Sequence, residues 1–186
     1  MASKYWKWEK VLSPKICNAL LEDLTDKAFT KSLIGDQKRE SDVRNNHTHF
    51  LPSNHWFEGI LYNHVRYANQ SAKWEYDITA IQNIQISKYD GNEYYDWHRD
   101  SFLVIPDFVE QRKISIVVQL NDPSEYEGGG LELEFDDKPS EPTIINVITG
   151  QGDIVVFPSI IKHRAVEVTK GTRYSATGWA IGPKFK

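Results

Sequence analysis

The chain has 186 residues, 12% of them aromatic, and a formal net charge of −4 at pH 7. This length predicts one domain, residues 1–186, with a core that needs neither a disulfide nor a structural metal. The acidic balance disfavours a nucleic-acid partner, because neutralising phosphates requires an excess of Lys and Arg. The first ten residues lack the apolar run of a secretory signal, and no stretch approaches about 18 consecutive apolar residues. We therefore expect a cytoplasmic protein with no membrane span.

The N-terminal part, residues 1–75, is predicted to contain helices and a loop that support the rest of the domain. Ser13 and Pro14 are typical of a helix start: Ser caps free N–H groups, and Pro lacks the N–H that the first turn leaves unpaired. Apolar residues at helical spacing extend this helix to about residue 29. Cys17 lies in the same apolar pattern and is expected to pack in the core.

Between the first helix and a second one, predicted over residues 54–68, lies a polar segment without a clear period. Residues 31–46 of this segment are predicted to form a long loop, a type of segment that is often functional. Arg44 is a candidate substrate-binding residue if the loop borders an active-site mouth. A solvated loop, without a role as a substrate lid, is the alternative.

From residue 76 onward the pattern changes to that of β-strands. Ile84 and Ile86 alternate with polar residues, whereas residues 114–120 are almost continuously apolar, as in a strand buried on both faces. Three glycines at 128–130 allow a tight reversal, and residues 139–142 read as a further turn. Further strands are predicted near residues 131–135, 143–148, 154–157, 165–168 and 174–181. The prediction is a mainly β, α+β fold: a double-layer barrel or jelly roll with N-terminal helices.

The motif His98-Arg99-Asp100, followed much later by His163, is the most informative feature of the chain. Two imidazoles and one carboxylate form the facial triad of non-haem Fe(II) sites, which leaves other coordination positions open. In an extended strand His98 and Asp100 would point to the same side, and His163 would come from another strand. Taken singly, these residues are also compatible with a surface His–carboxylate pair and a core histidine.

Further motifs follow in order along the chain: Tyr89-Asp90-Gly91, Tyr95 to Asp100, Leu120-Asn121 with the glycines at 128–130, Gly152-Asp153, and His163 to Trp179. In this order they resemble the Fe(II)/2-oxoglutarate-dependent dioxygenase superfamily, specifically its prolyl-4-hydroxylase-like branch. The resemblance covers about residues 83–183. It implies a cupin-like double-stranded β-helix with His98, Asp100 and His163 as Fe(II) ligands and catalytic residues.

The resemblance also implies how 2-oxoglutarate would be held. Its keto-acid end would chelate the metal, and its distal carboxylate would meet Arg173, whose planar guanidinium grips a carboxylate with two hydrogen bonds. Many relatives in this branch have Lys at this position. Tyr89 would add a hydroxyl to the same carboxylate, and Thr177 and Trp179 would form the cosubstrate wall. Tyr95 would line the pocket, by packing or by contacting the substrate.

The implied reaction uses O2, releases succinate and CO2, and hydroxylates an unactivated C–H bond, foremost that of a peptidyl prolyl residue; ascorbate as a reductant is compatible with it. Hydroxylation of a free amino acid or another small molecule is the alternative. Nucleic-acid demethylation is disfavoured, because that branch typically has a second arginine where this chain has Trp179. A catalytically inactive, ligand-binding jelly roll is the alternative outside enzymes.

A rival group of metal ligands is formed by histidines near the predicted loop. His47 and His49 stand two residues apart, and His55 and His64 follow. The group lacks an evident carboxylate partner, and the expectation is that it is not a metal site.

Overall fold

A computed structural model describes residues 2–32, 43–101, 110–136, 142–148 and 150–184. These residues form two helices, α1 (Pro14–Glu22) and α2 (Trp56–Ser71), and a short 3-10 turn at Pro123–Glu125. Neither helix is long and apolar enough to cross a membrane. The strands of the described residues are β1 (Trp6–Trp8), β2 (Thr30–Lys31), β3 (Arg44–Asn45), β4 (His47–Phe50), β5 (Ala80–Ile81), β6 (Gln85–Tyr89), β7 (Glu93–His98), β8 (Glu110–Gln119), β9 (Tyr126–Gly128), β10 (Leu131–Phe135), β11 (Thr143–Asn146), β12 (Ile154–Pro158), β13 (Lys162–Gly171) and β14 (Arg173–Pro183).

The strands form two antiparallel sheets. The larger has the order β1-β12-β8-β14-β6-β4-β2, with β5 paired to β14, and the smaller has the order β11-β10-β13-β7-β3, with β9 paired to β13. Val117 and Phe157 of the larger sheet share one buried cluster with Leu131 and Leu133 of the smaller, so the sheets pack face to face. This architecture confirms the predicted mainly β jelly roll with N-terminal helices, the double-stranded β-helix.

The two faces of strand β8 show how the larger sheet separates core from site. Ile114, Ile116 and Val118 belong to the cluster that also contains buried residues of α1 and α2. The alternate residues Ser115 and Gln119 are fully buried on the opposite face, toward the smaller sheet. The strand is therefore buried on both faces, as predicted, but its inner face carries polar groups.

Two predictions for the N-terminal part were wrong in detail. Helix α1 ends at Glu22, not near residue 29; tight turns follow, in which Leu24 donates to Leu21 and Thr25 to Glu22 through backbone atoms. Of the predicted loop, residues 33–42 lie outside the described residues, but its ends are strands β2 and β3. Backbone pairing supplied by neighbouring strands, which local composition does not reveal, explains this difference.

The predicted reversal at the glycines 128–130 was wrong: β9 and β10 both pair antiparallel with β13, so the chain keeps its direction from one strand to the next. Gly128 and Gly129 have φ values of +81° and +65°, in the left-handed region that favours glycine. The glycines connect β9 to β10 along the same neighbouring strand, with Gly128 opposite Val168 and Leu131 opposite Ala165. The predicted turn at residues 139–142 lies mostly outside the described residues.

Candidate metal and cosubstrate site

The structure brings His98, Asp100 and His163 together. His98 is the last residue of β7, and its Cα is paired with that of His163 on β13. Nε2 of His163 lies 3.4 Å from Oδ2 of Asp100, and Nε2 of His98 lies 3.7 Å from Oδ1. One ligand atom from each residue lies within 4.8 Å of the other two. This is the spacing at which three groups can hold one metal ion.

Asp100 reaches this position through a bend, and not through strand alternation as the sequence suggested. Strand β7 stops at His98, and the backbone N–H groups of Asp100 and Ser101 both donate to the carbonyl of Ser159, at 3.0 and 3.1 Å. The segment after β12 therefore holds the carboxylate in place.

Both imidazoles present the nitrogen that a metal needs. Nδ1 of His98 lies 2.7 Å from the carbonyl of Asp96, and Nδ1 of His163 lies 2.9 Å from that of Ile161. Only a protonated Nδ1 can donate to a carbonyl, so in the neutral ring the lone pair is on Nε2, beside Asp100. Burial, with the neighbouring His163, lowers the pKa of His98 to about 4, which keeps that ring neutral.

The carboxylate of Asp100 is buried, ionised and oriented. Burial alone would raise its pKa, but the adjacent imidazoles of His163 and His98 outweigh burial and hold the pKa well below its usual range. The Ser115 hydroxyl donates to Oδ2 at 2.6 Å and lies 2.9 Å from the hydroxyl of Ser159. Two imidazoles that turn Nε2 toward one anchored carboxylate fit a facial Fe(II) site.

A cavity of about 210 Å³ opens beside these ligands, between the two sheets. All residues predicted for the site line it. They are Arg44, Tyr89, Tyr95, His98, Asp100, His163, Arg173, Thr177 and Trp179.

Arg173 lies almost fully buried in this cavity, with 1% of its surface exposed. Its Nε donates to Oε1 of Gln119 at 2.9 Å, while its Nη2 is buried without a hydrogen-bond partner. Among the described residues no carboxylate forms an ion pair with it. A buried cation in this state favours a ligand with negative charge.

The other residues predicted for the cosubstrate surround Arg173 along two paired strands. Tyr89 on β6 is the register partner of Arg173, whose guanidinium carbon lies 5.5 Å from the centre of the Tyr89 ring. Thr177 and Trp179 follow on the same face of β14. Nε1 of Trp179 is buried and also has no partner.

Four residues of the site were missed by the sequence reasoning: Ser115, Gln119, Arg112 and Ser159. The first two orient Asp100 and Arg173. The sequence did contain a signal for two of them. Ser115 and Gln119 are polar residues, four positions apart, in the otherwise apolar segment 114–120. Polar residues that recur on one face of a buried strand indicate a polar site on that face.

The rival histidine group is dispersed in the structure. His49 contacts the carbonyl of Ala28, His55 accepts from the backbone at the start of α2, and His64 contacts the carbonyl of Ile60.

Nε2 of His55 lies 3.5 Å from Oδ2 of Asp23. His47 has carboxylate neighbours as well, so the expectation that the group lacks them was wrong. Its Nδ1 lies 2.8 Å from Oε1 of Glu93, and ligand atoms of His47, Asp90 and Glu93 lie within 4.8 Å of one another. Asp90 is already paired with Lys88 at 2.9 Å and accepts from Thr172 at 2.7 Å. A protein cation therefore already balances the charge of Asp90.

The sequence profile described as the 2OG-Fe(II) oxygenase superfamily matches residues 84–181, just over half of the chain. The chain belongs to this superfamily. The superfamily's description names the metal, Fe(II), and the cosubstrate, 2-oxoglutarate, that the sequence predicts, and the donor set of the site fits both.

Individual relatives of this chain carry related descriptions. A PKHD-type hydroxylase from Idiomarina loihiensis is 35% identical over 99 residues, which cover 53% of this chain and 42% of the relative. The chain thus spans less than half of that relative's length. A viral collagen prolyl hydroxylase from Paramecium Bursaria Chlorella virus-1, solved as a 2OG complex, has a TM-score of 0.70 at 23% identity, with 97% of both chains covered. A prolyl hydroxylase from Trichoplax adhaerens, solved with a peptide of hypoxia inducible factor, has a TM-score of 0.74 at 14% identity, with 95% and 83% covered. At these identities the two structures establish the shared fold.

Proposed function

We propose that this chain is an Fe(II)- and 2-oxoglutarate-dependent dioxygenase that hydroxylates a prolyl residue of a peptide or protein. The observation that carries the proposal is one cavity that contains both the His98, Asp100 and His163 ligand atoms and the buried guanidinium of Arg173, whose Nη2 has no hydrogen-bond partner. 2-Oxoglutarate matches both features, because it has a chelating keto acid at one end and a carboxylate at the other.

In this proposal each residue has a separate task. The two Nδ1–H bonds fix the imidazole rings, and Ser115 fixes the carboxylate of Asp100, so that the three ligands are preorganised. Arg173 orients the cosubstrate through its distal carboxylate. Bound Fe(II), with O2 and 2-oxoglutarate, supplies the oxidising chemistry that ends in succinate, CO2 and a hydroxylated carbon.

The prolyl substrate is supported by the two solved structures named above, since each is described as a prolyl hydroxylase and one contains a peptide. Tyr95 and Arg44 lie on the smaller sheet beside the metal ligands and are the proposed first contacts of the substrate.

Succinate formation from 2-oxoglutarate, measured with and without Fe(II), tests the activity. We expect Fe(II)-dependent turnover that is abolished in His98→Ala and His163→Ala. His49→Ala is the matched control, because His49 does not line the cavity and contacts the carbonyl of Ala28 and the ring of Phe29. A wild-type protein that binds neither Fe(II) nor 2-oxoglutarate under anaerobic conditions would disprove the proposal. A peptide panel, scored by the mass of one added oxygen, then tests the prolyl substrate.

The role of Arg173 is tested by binding alone. Arg173→Ala should weaken 2-oxoglutarate binding by roughly 10-fold or more, since charge-assisted hydrogen bonds are lost, and should leave metal binding intact. Arg173→Lys keeps the charge, so its affinity for 2-oxoglutarate should lie between those of the wild type and Arg173→Ala. Unchanged 2-oxoglutarate affinity in Arg173→Ala would refute the assignment.

A further inference from the structure

Two more arginines line the cavity, and neither has a carboxylate partner among the described residues. Arg112 comes from β8 of the larger sheet, and Arg44 comes from β3 of the smaller. Among the described residues, no carboxylate lies within ion-pair distance of either guanidinium. Each guanidinium lies instead over an aromatic ring: that of Arg112 is 3.9 Å from the centre of Trp179, and that of Arg44 is 4.5 Å from the centre of Tyr95.

These two arginines stand apart from Arg173. Arg173 begins β14, and Trp179, which lies beneath Arg112, follows six residues later, so their Cα atoms are separated by about 20 Å of strand. 2-Oxoglutarate is a five-carbon chain whose second end is committed to the metal. In the proposed pose its distal carboxylate is assigned to Arg173 and its keto-acid end to the metal, so Arg112 has no assigned ligand.

Both guanidinium groups are held in place by neutral side chains. Nε of Arg112 donates to Oε1 of Gln82 at 2.7 Å, and Nε of Arg44 donates to Oδ1 of Asn46 at 2.9 Å. Among the described residues, Nη2 of Arg44 is buried without a hydrogen-bond partner. Burial lowers the pKa of Arg112, and the nearby charge of Arg44 lowers it further while Asp100 opposes it. The two cations are thus close enough to repel each other.

The charge of the cavity is not balanced by its proposed cofactors. Its described lining contains three arginines but one carboxylate, that of Asp100. The charges of Fe(II) and of the 2-oxoglutarate dianion cancel each other. Positive charge is therefore left in excess in the loaded site, on the side where Arg112 and Arg44 lie.

We propose that the substrate carries a carboxylate close to the oxidised carbon, and that Arg112 and Arg44 bind this carboxylate between them. This inference rests on the proposed dioxygenase function and narrows its substrate class. A planar guanidinium fork held on an aromatic ring is suited to bidentate binding of a carboxylate. Two sources have this chemistry: a free α-carboxylate on the oxidised residue, and an acidic side chain next to it in a peptide.

Binding of matched probes to the wild-type protein, loaded anaerobically with Mn(II) and 2-oxoglutarate, tests the inference. The neutral probe is acetyl-Ala-Ala-Pro-Ala-Ala amide. The two charged probes are acetyl-Ala-Ala-Pro with a free C-terminal carboxylate and acetyl-Ala-Ala-Pro-Glu-Ala amide. We expect at least one charged probe to bind about tenfold or more tightly than the neutral one, as expected for charge-assisted hydrogen bonds. Which charged probe is preferred identifies the source of the carboxylate.

Variants then assign the preference to the two arginines. Arg112→Gln and Arg44→Gln should each reduce the ratio of charged to neutral binding, and Arg112→Lys should retain part of it. Because the ratio is measured within one protein, a partly unfolded fraction does not change it. Arg164→Gln is the matched control: this arginine also lies over an aromatic ring, 4.6 Å from Trp97, but it does not line the cavity.

Equal binding of charged and neutral probes, or binding of none, would overturn the inference. A preference that survives in both glutamine variants would overturn it as well, as would tighter binding of a phosphoserine peptide than of both carboxylate peptides. The proposed function fails separately, through the absence of Fe(II)-dependent succinate formation. If the protein forms succinate but binds charged and neutral probes equally, the proposed function stands and this inference is disproved.

Discussion

The ring of Tyr95 lies parallel to the imidazole of His98, with ring centres 3.5 Å apart and planes inclined by 7°. Tyr95 is thus a support for a proposed metal ligand as well as part of the cavity wall. Burial raises the pKa of its phenol to about 12, so the ring is neutral at physiological pH.

The stacked ring predicts that Tyr95→Ala weakens metal binding. His98 would lose the surface that fixes its orientation, and loss of such outer contacts typically lowers metal affinity roughly 10- to 100-fold. Tyr95→Phe is the control, because it keeps the ring and removes only the hydroxyl. Anaerobic titration with Fe(II), followed by calorimetry, measures the metal affinity of both variants. Equal losses in the two variants would show that the hydroxyl, and not the stacked ring, supports the metal site.

Removal of the Ser115 hydroxyl should also weaken metal binding. Ser115→Ala deletes the 2.6 Å hydrogen bond to the Asp100 carboxylate, and a metal affinity lower by roughly 10-fold or more is expected. Ser175→Ala is the comparison: Ser175 is another buried serine of the same cavity, without a hydrogen bond to Asp100. Titration with Fe(II) in the absence of 2-oxoglutarate keeps cosubstrate effects out of the measurement. Similar affinities in the two variants would contradict the role of Ser115.

Cys17 should be unreactive in the folded protein. Burial raises its pKa from 9.0 to about 11, so very little thiolate, the reactive form, exists at pH 8. Iodoacetamide should label the chain only after unfolding, and every label reports this residue because the chain has one cysteine.

The same group makes stability depend on pH. Because the folded pKa lies above the unfolded one, its contribution is complete below pH 9.0 and is lost as pH rises toward 11. The urea-derived free energy of unfolding should fall over this range, and the fall should be smaller in Cys17→Ala. Rapid labelling at pH 8 without denaturant would show that the thiol is accessible.

Two glycines should respond in opposite directions to the same substitution. Gly152 has φ of +81°, and an added Cβ would lie 1.9 Å from the backbone oxygen of Leu12. Gly152→Ala should therefore lower the free energy of unfolding by more than about 1 kcal/mol. Gly59 lies inside α2 with nothing within 4 Å of an added Cβ. Gly59→Ala should therefore raise the free energy of unfolding by about 0.5–1 kcal/mol. Urea unfolding measures both changes. A stabilising Gly152→Ala would refute the close approach of Leu12.

Sequence reasoning succeeded where the signal is local. Alternating and continuous apolar segments predicted β8, β10, β12 and β14 close to their observed bounds, because side-chain burial in a strand follows a period of two. It failed for β3 and β4, where residues near Arg44 and His47 are polar. Such strands exist because a neighbour supplies hydrogen bonds, and a neighbour distant in sequence leaves no local pattern.

The candidate site also has features that the sequence predicted and features that it did not. His98, Asp100, His163 and Arg173, which the structure brings to one cavity, were predicted together from residue chemistry and motif order. The placement of Asp100 was predicted by an incorrect route, because the bend that holds it depends on the carbonyl of Ser159, far along the chain.

What the sequence determined by itself is the class of fold and the kinds of groups available, since both follow from periodicity and chemical type. Tertiary structure decided which groups meet. Register sets His163 opposite His98, packing of the two sheets brings Arg112 and Arg44 to one cavity, and burial leaves Arg173 without an ion-pair partner among the described residues. Pairing and desolvation are properties of residues that are distant in sequence and close in space, so they become readable only once the chain is folded.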